Sequence, residues 1–278
     1  MTVASLARQA SIELSCLDSS DFQAGRDLLW PGQKVYLSHL PRQTWAQTRR
    51  TCAEVAAAGF DPVPHVPVRL LRSEQQLDEV LCACRDAGAR ELLLIAGDYA
   101  EPQGPYCEVR EILLSGKLQR LGFTSVSLAG HPEGHPVVPA HQIRQAQLEK
   151  SRSGIAAGMQ VTLVTQFFFE AAPFVHWARD LRQAGVEARL VAGLPGPAGV
   201  SRLLRLAMHC GVGPSIRALS SKSRSMLNLL SERRPDALLH DLAAERQHQP
   251  DLFDGIHLYS FGGLHRTATW LRQQAENC

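Results

Sequence analysis

No run of apolar residues in this chain is long enough to cross a bilayer, and Met1–Ala10 lacks the basic-then-apolar pattern of a secretion signal. These two absences set the expectation of a cytoplasmic protein with no membrane association. There is no Cys-x-x-Cys among the 7 cysteines, and Cys82 and Cys84, two apart in a helical pattern, point about 200° away from each other. An odd cysteine count without a signal segment reads as reduced thiols. No Gly-x-Gly-x-x-Gly follows a strand, so a separate dinucleotide-binding module is not indicated. Charge of one sign is also missing: the net charge is +2, which gives no footprint for nucleic acid. Linkers, low-complexity tracts and internal repeats are absent too, and the expectation is one domain over residues 1–278.

What is present is a rhythm. The length of 278 residues is close to the roughly 250 typical of one (β/α)8 barrel, and 45% hydrophobic residues supply a substantial core. Strands are expected at Ser11–Ser15, Lys34–His39, Val63–Val68, Glu91–Ile95, Ser125–Ala129, Gln160–Gln166, Ala188–Ala192 and Gly255–Ser260. Helices are expected between them, at Gln43–Ala58, Ser73–Ala87, His141–Ala157, Ala172–Ala184 and Gly199–Cys210. Ala-Gly words beginning at Ala58, Ala87, Ala157 and Ala184 mark helix ends, with glycine supplying a left-handed stop. Ser221–Leu230 and Asp236–Gln247 read as extra helices before the last strand. The expected fold is therefore an α/β (β/α)8 TIM barrel.

Polar residues then stand at the carboxyl ends of buried strands, where a parallel α/β protein places its chemistry. Val161–Glu170 is an apolar, β-branched run interrupted by Gln166 and followed by three aromatics. Gly130–Pro136 ends another apolar run with two histidines and a carboxylate. Glu13 lies inside a short, mostly apolar strand, where burial would favour its protonated form and suit a general acid; pairing with a basic neighbour is the structural alternative. Asp98 ends the fourth strand, where it could also cap the next segment. Imidazole and carboxylate side chains at His39, His65, His131, Glu133 and His135 would suit zinc. But His131 and His135 lie in a turn rather than on a helix, and no His-x-His follows the first strand. No metal is assigned.

Thr165–Glu170, His131–Pro136 and Ile95–Asp98 resemble, in the same chain order, words of the methylenetetrahydrofolate reductases, which are flavin-dependent (β/α)8 barrels. The resemblance runs from about Ile12 to the C-terminus, and its most specific element is residues 165–170. It implies FAD as cofactor, NADH or NADPH as co-substrate, and a folate substrate. By that resemblance Glu13 protonates N10 of the folate and Asp98 stabilises charge on the pterin. Gln166 binds folate through an amide that both donates and accepts, with Leu206 and Tyr259 beside the substrate. Ser38, His65, Gly97, Asp98, His131, His135, Lys150 and Arg152 fall at or near flavin-contacting positions.

The departures from the family pattern fall in the site. Ala96 stands where the family has an arginine, His131 where it has a tyrosine, and Gly154 where it has a lysine near the flavin phosphates, with Lys150 and Arg152 close by. Leu206 replaces a phenylalanine, and Tyr259–Gly263 replaces Tyr-Thr-Leu-Asn-Arg. Two lost charge-assisted hydrogen bonds would weaken flavin binding by roughly 3–6 kcal/mol. The resemblance thus implies a reductase interconverting 5,10-methylene- and 5-methyltetrahydrofolate. Two alternatives stay open: a divergent paralogue oxidising 5-methyltetrahydrofolate in methyl-group catabolism, or a folate- or flavin-binding accessory subunit without turnover. A homo-oligomer, or a complex with a folate-dependent partner enzyme, is left open as well.

Overall fold

Eight parallel strands close into a barrel in which each strand lies beside its neighbour in sequence. They are β1 (Ser11–Ser15), β2 (Lys34–Ser38), β3 (Asp61–Pro67), β4 (Glu91–Ile95), β5 (Ser125–Gly130), β6 (Gln160–Phe167), β7 (Arg189–Pro195) and β8 (Gly255–Tyr259). The computed structural model describes residues 2–15, 19–40, 43–97, 101–210 and 232–276. Closure is made by β1, which pairs with β2 (Glu13 opposite Tyr36) and with β8 (Ser11 opposite His257). No helix among the described residues is long and apolar enough to cross a membrane.

The expected helix stops are built as read. Gly59, Gly88, Gly158 and Gly185 take φ of +86°, +99°, +76° and +75°. The residue after each returns its N–H to an earlier carbonyl of the ending helix: Phe60 to Val55, Ala89 to Cys84, Met159 to Gly154, Val186 to Leu181. These bonds satisfy carbonyls that the helix ends would otherwise leave open. At the other end of Trp45–Ala57, Thr44 and Gln47 form a reciprocal capping box.

Some boundaries differ from expectation. β3 begins at Asp61 rather than Val63, even though Pro62 and Pro64 cannot donate to a ladder. Both prolines pair with β2, and the recorded pairing with β4 begins only at His65, so the lost donors fall before that ladder. β7 runs on to Pro195. Between β4 and β5 there are two short helices, Val109–Leu114 and Lys117–Arg120, where the sequence is cut by Gly104, Pro105 and Gly116. Of the two extra helices expected before the last strand, Asp236–His248 is present, and Ser221–Leu230 lies outside the described residues.

The alternation of side chains along each strand sorts the core into two parts. Ile12, Leu14, Val35, Leu37, Leu92 and Leu94 face outward into the main core shared with the helices. Tyr36, Val63, Leu93, Val164 and Val191 meet inside the barrel, with Ile95 against them. Below that inner plug, toward the strand N-termini, Glu91 receives Lys34 and the hydroxyl of Ser127 (2.6 Å), and Tyr36 shares a 2.8 Å hydrogen bond with Ser127. Above it lies the site.

Candidate active site

Glu13 is the third residue of β1, one step on from outward-facing Ile12, so it points into the barrel above the apolar plug. Its Oε2 lies 3.7 Å from Nε2 of His65 on β3 and 3.8 Å from Nε2 of His257 on β8. Neither distance is a hydrogen bond, and both are too short for an intervening water, so the carboxylate faces two imidazoles directly. Its side chain is 19% accessible, less enclosed than the sequence suggested and open enough to reach a ligand. His257 is buried, shares a 2.9 Å contact between Nδ1 and the Ser11 hydroxyl, and is edge-on to Tyr36 and Tyr259.

Burial pulls the pKa of His65 down to about 4; Glu13 opposes that shift and His257 adds to it. His39, just beyond β2, is also lowered to about 4 by burial and by its neighbour His65. Its ring stacks on Trp45 at 4.0 Å and its Nδ1 meets the Thr48 hydroxyl at 2.9 Å. Nε2 of His39 and Nε2 of His65 are enclosed without a hydrogen-bond partner, as is Nδ1 of His131 at the end of β5. Burial, with Lys150 and His135 nearby, lowers His131 to about 3. Three neutral imidazoles thus hold an unsatisfied nitrogen at the same end of the barrel. Among the described residues no group of three or more His, Cys, Asp or Glu side chains is arranged to hold a metal ion.

Gln166 is aimed by a bulge. The pairing of β6 with β7 slips by one residue between Val164 and Phe167. The Thr165 hydroxyl organises it, accepting from Gly193 N–H and donating to the Gln166 carbonyl, both at 2.8 Å. Position 193 has to be glycine: a Cβ there would lie 2.4 Å from the Thr165 carbonyl oxygen. Tyr259 reaches across from β8 and donates to that same oxygen at 2.7 Å. Beside Gln166, Phe167 and Ala207 are joined by half-buried Phe169, Leu206, Tyr259 and Phe261 in an apolar wall.

The remaining expected residues divide. Ser38 sits at the end of β2 and donates to the Leu14 carbonyl at 3.4 Å. Gly97 follows β4 with φ +90°; Asp98 lies outside the described residues. His135 is exposed and its Nδ1 accepts from Val137 and Val138 N–H, while its ring is 6.0 Å from that of His131. Lys150, half-buried, donates to the Ala129 carbonyl, and burial lowers its pKa to about 8. Arg152 is not brought to this end: it donates to the carbonyl of Ala184, the C-cap of Ala171–Gln183, which lies at the opposite face. Gly154 faces the sheet, where a Cβ would lie 2.6 Å from a Val161 methyl, so a lysine there would displace packing before it met a ligand. A separate groove between Ala171–Gln183 and Asp236–His248 does not include Glu13.

His257 and Ser11 were passed over by sequence reasoning. The signal was available, since His257 precedes Tyr259 by two in a strand alternating polar and apolar residues, and so shares its face.

Residues 46–216 match the family described as methylenetetrahydrofolate reductase, more than half of the chain. The matched segment takes in β3 to β7 and leaves out β1, β2 and β8, and with them Glu13, Ser38 and His257. Among curated proteins, methylenetetrahydrofolate reductase 2 of Saccharomyces cerevisiae is 22% identical over 180 residues, covering 60% of this chain and 28% of that protein. Methylenetetrahydrofolate reductase (NADH) 1 of Arabidopsis thaliana is 24% identical over 149 residues, covering 49% of this chain and 25% of that protein. The aligned part of the chain thus spans about a quarter of each relative. Among solved structures, an uncharacterized protein from Clostridium thermocellum that binds two copies of 5-methyl-5,6,7,8-tetrahydrofolic acid has the same fold, with a TM-score of 0.60 at 9% identity over 99% of both chains.

Proposed function

The chain belongs to the methylenetetrahydrofolate reductase family, and from that premise we propose that it interconverts 5,10-methylenetetrahydrofolate and 5-methyltetrahydrofolate, with NAD(P)H as the hydride source. One observation carries the reading: Glu13 projects into the C-terminal mouth of the barrel, flanked by His65 and His257, beside the Gln166 bulge and its aromatic wall. A folate would lay its flat pterin against Phe167, Tyr259 and Leu206, and Gln166 would donate to and accept from its polar edge. Glu13, which faces His65 and His257 at that mouth, would supply the proton that opens the ring. Asp98, which follows Gly97, is proposed as the second carboxylate on sequence grounds alone. The folate complex of the Clostridium thermocellum protein agrees with a barrel of this shape taking such a ligand.

A flavin fits this end in part. The enclosed nitrogens of His39, His65 and His131 are suited to the polar edge of its ring system and ribityl chain. Cations for its phosphates are fewer. Ala96 offers none, Gly154 faces Val161 and Arg152 faces away; Lys150 and Arg69 are two cations among the described residues that adjoin the ends of β5 and β4. Arg69 donates its N–H to the Ala96 carbonyl and its Nε to the Cys107 carbonyl. When bound, FAD would pass hydride between the pyridine nucleotide and the folate; NADH and NADPH are not distinguished by these residues. Titrating FAD into the protein by fluorescence quenching tests the proposal. Weak, salt-sensitive binding that tightens at least tenfold in Ala96→Arg is expected, since the guanidinium matches phosphate geometry. Undetectable binding in both proteins, with 5-methyltetrahydrofolate still bound, would replace the reductase by a folate-binding accessory subunit.

A further inference from the structure

An amide that donates and accepts at once recognises a ligand only if its direction is fixed. A bulge is a poor place to fix it, because the extra residue leaves the regular ladder. In this bulge the two peptide planes flanking the Gln166 Cα are each held by a side chain. The plane before it carries the Thr165 carbonyl, which accepts from the Tyr259 hydroxyl at 2.7 Å. The plane after it carries the Gln166 carbonyl, which accepts from the Thr165 hydroxyl at 2.8 Å. Peptide planes are rigid, so pinning both fixes the two soft backbone torsions of Gln166 and the direction of its Cα–Cβ bond. The two anchors differ in origin. Thr165 is fully buried and braces its own strand, while Tyr259 comes from β8, with β7 lying between it and the bulge. The Tyr259 ring is stacked on Phe261 (centroids 5.4 Å apart, planes 15° apart) and stands edge-on to Phe167, so its hydroxyl is delivered from a packed support. On β7 the way across is kept clear by Gly193. A Cβ there would lie 2.4 Å from the Thr165 carbonyl oxygen and 2.7 Å from that of Gln166, the two atoms the anchors hold.

We propose that Tyr259 is a positioning residue whose hydroxyl, through the Thr165 carbonyl, sets the direction in which Gln166 presents its amide to the ligand. The ring and the hydroxyl of Tyr259 then have separate tasks. The ring belongs to the apolar wall, and the hydroxyl is turned to the backbone of β6. Loss of the hydroxyl frees the peptide plane before Gln166 and lets the amide swing, while the wall keeps its shape. The cost falls on recognition of a ligand with a polar edge. The fold keeps the Thr165 hydroxyl bonds and the pairing of Val164 and Phe167 with β7.

This inference rests on the reading of Gln166 as the folate ligand, and its test separates the two. The affinity of the full chain for 5-methyltetrahydrofolate is measured by titration calorimetry in a double-mutant cycle of Tyr259→Phe and Gln166→Ala. Phenylalanine keeps the ring and removes only the hydroxyl. Gln166→Ala should weaken binding about tenfold or more, and Tyr259→Phe about three- to tenfold. The double variant should bind no more weakly than Gln166→Ala alone, because no amide is left to aim. Additive losses overturn the proposal, since a hydroxyl that touched the ligand or merely braced the wall would still be missed without Gln166. So does a Tyr259→Phe variant that binds as tightly as the unmodified protein. The side-chain amide of Gln166 gives a second readout, its 15N-correlated NMR signals being assigned by their loss in Gln166→Ala. Without ligand, those signals should shift or broaden in Tyr259→Phe, and unchanged signals overturn the proposal. If Gln166→Ala binds normally while the signals do move, the folate role of Gln166 falls and the clamp on its backbone stands.

Discussion

The two ends of the barrel interior both hold a glutamate, and they treat it in opposite ways. At the N-terminal end Glu91 is 5% accessible and saturated, taking Lys34, Ser127 at 2.6 Å and Ser125 at 3.4 Å. Ser127 in turn meets buried Tyr36, whose ionisation is pushed up by burial and by Glu91. At the C-terminal end Glu13 stops 3.7 and 3.8 Å short of its imidazoles, and the enclosed nitrogens of His39, His65 and His131 lack partners. An enclosed polar group left unpaired costs about 1–3 kcal/mol. One end is completed by the protein's own side chains; the other keeps enclosed nitrogens without partners. Residues that complete the first should matter to stability, and residues that leave the second incomplete should matter to binding and turnover.

The sharpest test is the Glu13 side. Glu13→Gln keeps the shape and removes the transferable proton, so the folate half-reaction should slow by about 10²–10⁴. Stopped-flow measurement should find oxidation of NAD(P)H by flavin-loaded protein much less affected, with the midpoint of thermal unfolding nearly unmoved. Equal loss in both half-reactions would make Glu13 a structural residue and erase the contrast.

At the other end the expectation reverses. Glu91→Leu strands Lys34 and leaves Ser127 and Ser125 with one partner fewer. Removing one member of a buried ion pair costs about 3–5 kcal/mol. Because the Lys34 side chain is 37% accessible, water recovers part of that, and a loss of about 3 kcal/mol is expected in urea unfolding. The protein that remains folded should turn over normally. A stable Glu91→Leu variant with impaired turnover would break the comparison from this side.

The closed barrel was legible in the sequence because its signals are local and repeated: apolar runs of strand length, then helices ended by Ala-Gly. The β3 start was hidden because Pro62 reads as a breaker, and only the staggered start of the β4 pairing shows why it is tolerated. Gln166 was legible as a polar residue at a strand end and Glu13 as a carboxylate inside an apolar strand. Tyr259, and any role for His65 other than zinc binding, came only through the family resemblance; the structure brings the four to one mouth. Asp98 lies outside the described residues. Gly154 was misjudged as a vacated cation position, because sequence order does not say which way a helix position faces. It faces Val161. Arg152 was placed near the phosphates by proximity in sequence, yet two positions along a helix turn a side chain about 200°. His257 was missed for a related reason, since its meaning depends on β1 and β8 being neighbours, which only closure of the barrel provides.

Lys150 carries the smallest and most discriminating expectation. It lies four residues before Gly154, on the same helix face and one turn nearer the C-terminal end, and its recorded hydrogen-bond acceptor is the Ala129 carbonyl. Its pKa is lowered to about 8 from an ordinary 10.5, with burial as the cause. A lysine depressed on folding costs stability wherever it is charged, because the unfolded chain binds the proton more tightly. That cost is full below about pH 8 and fades as pH rises from 8 to 10.5, so this residue's contribution makes stability climb across that window. Met fills a similar volume without the charge. Lys150→Met should therefore be more stable at pH 7 by about 1 kcal/mol after the lost carbonyl contact is allowed for, and its stability should climb less between pH 8 and 10.5. If the ammonium is kept there for an anionic ligand, the same variant should bind FAD several times more weakly. Denaturant unfolding at pH 7 and pH 10, set beside FAD titration, reads both quantities. A variant less stable at pH 7 with unchanged FAD affinity would place Lys150 with the structural residues of the N-terminal end, and the division between the two ends would no longer hold.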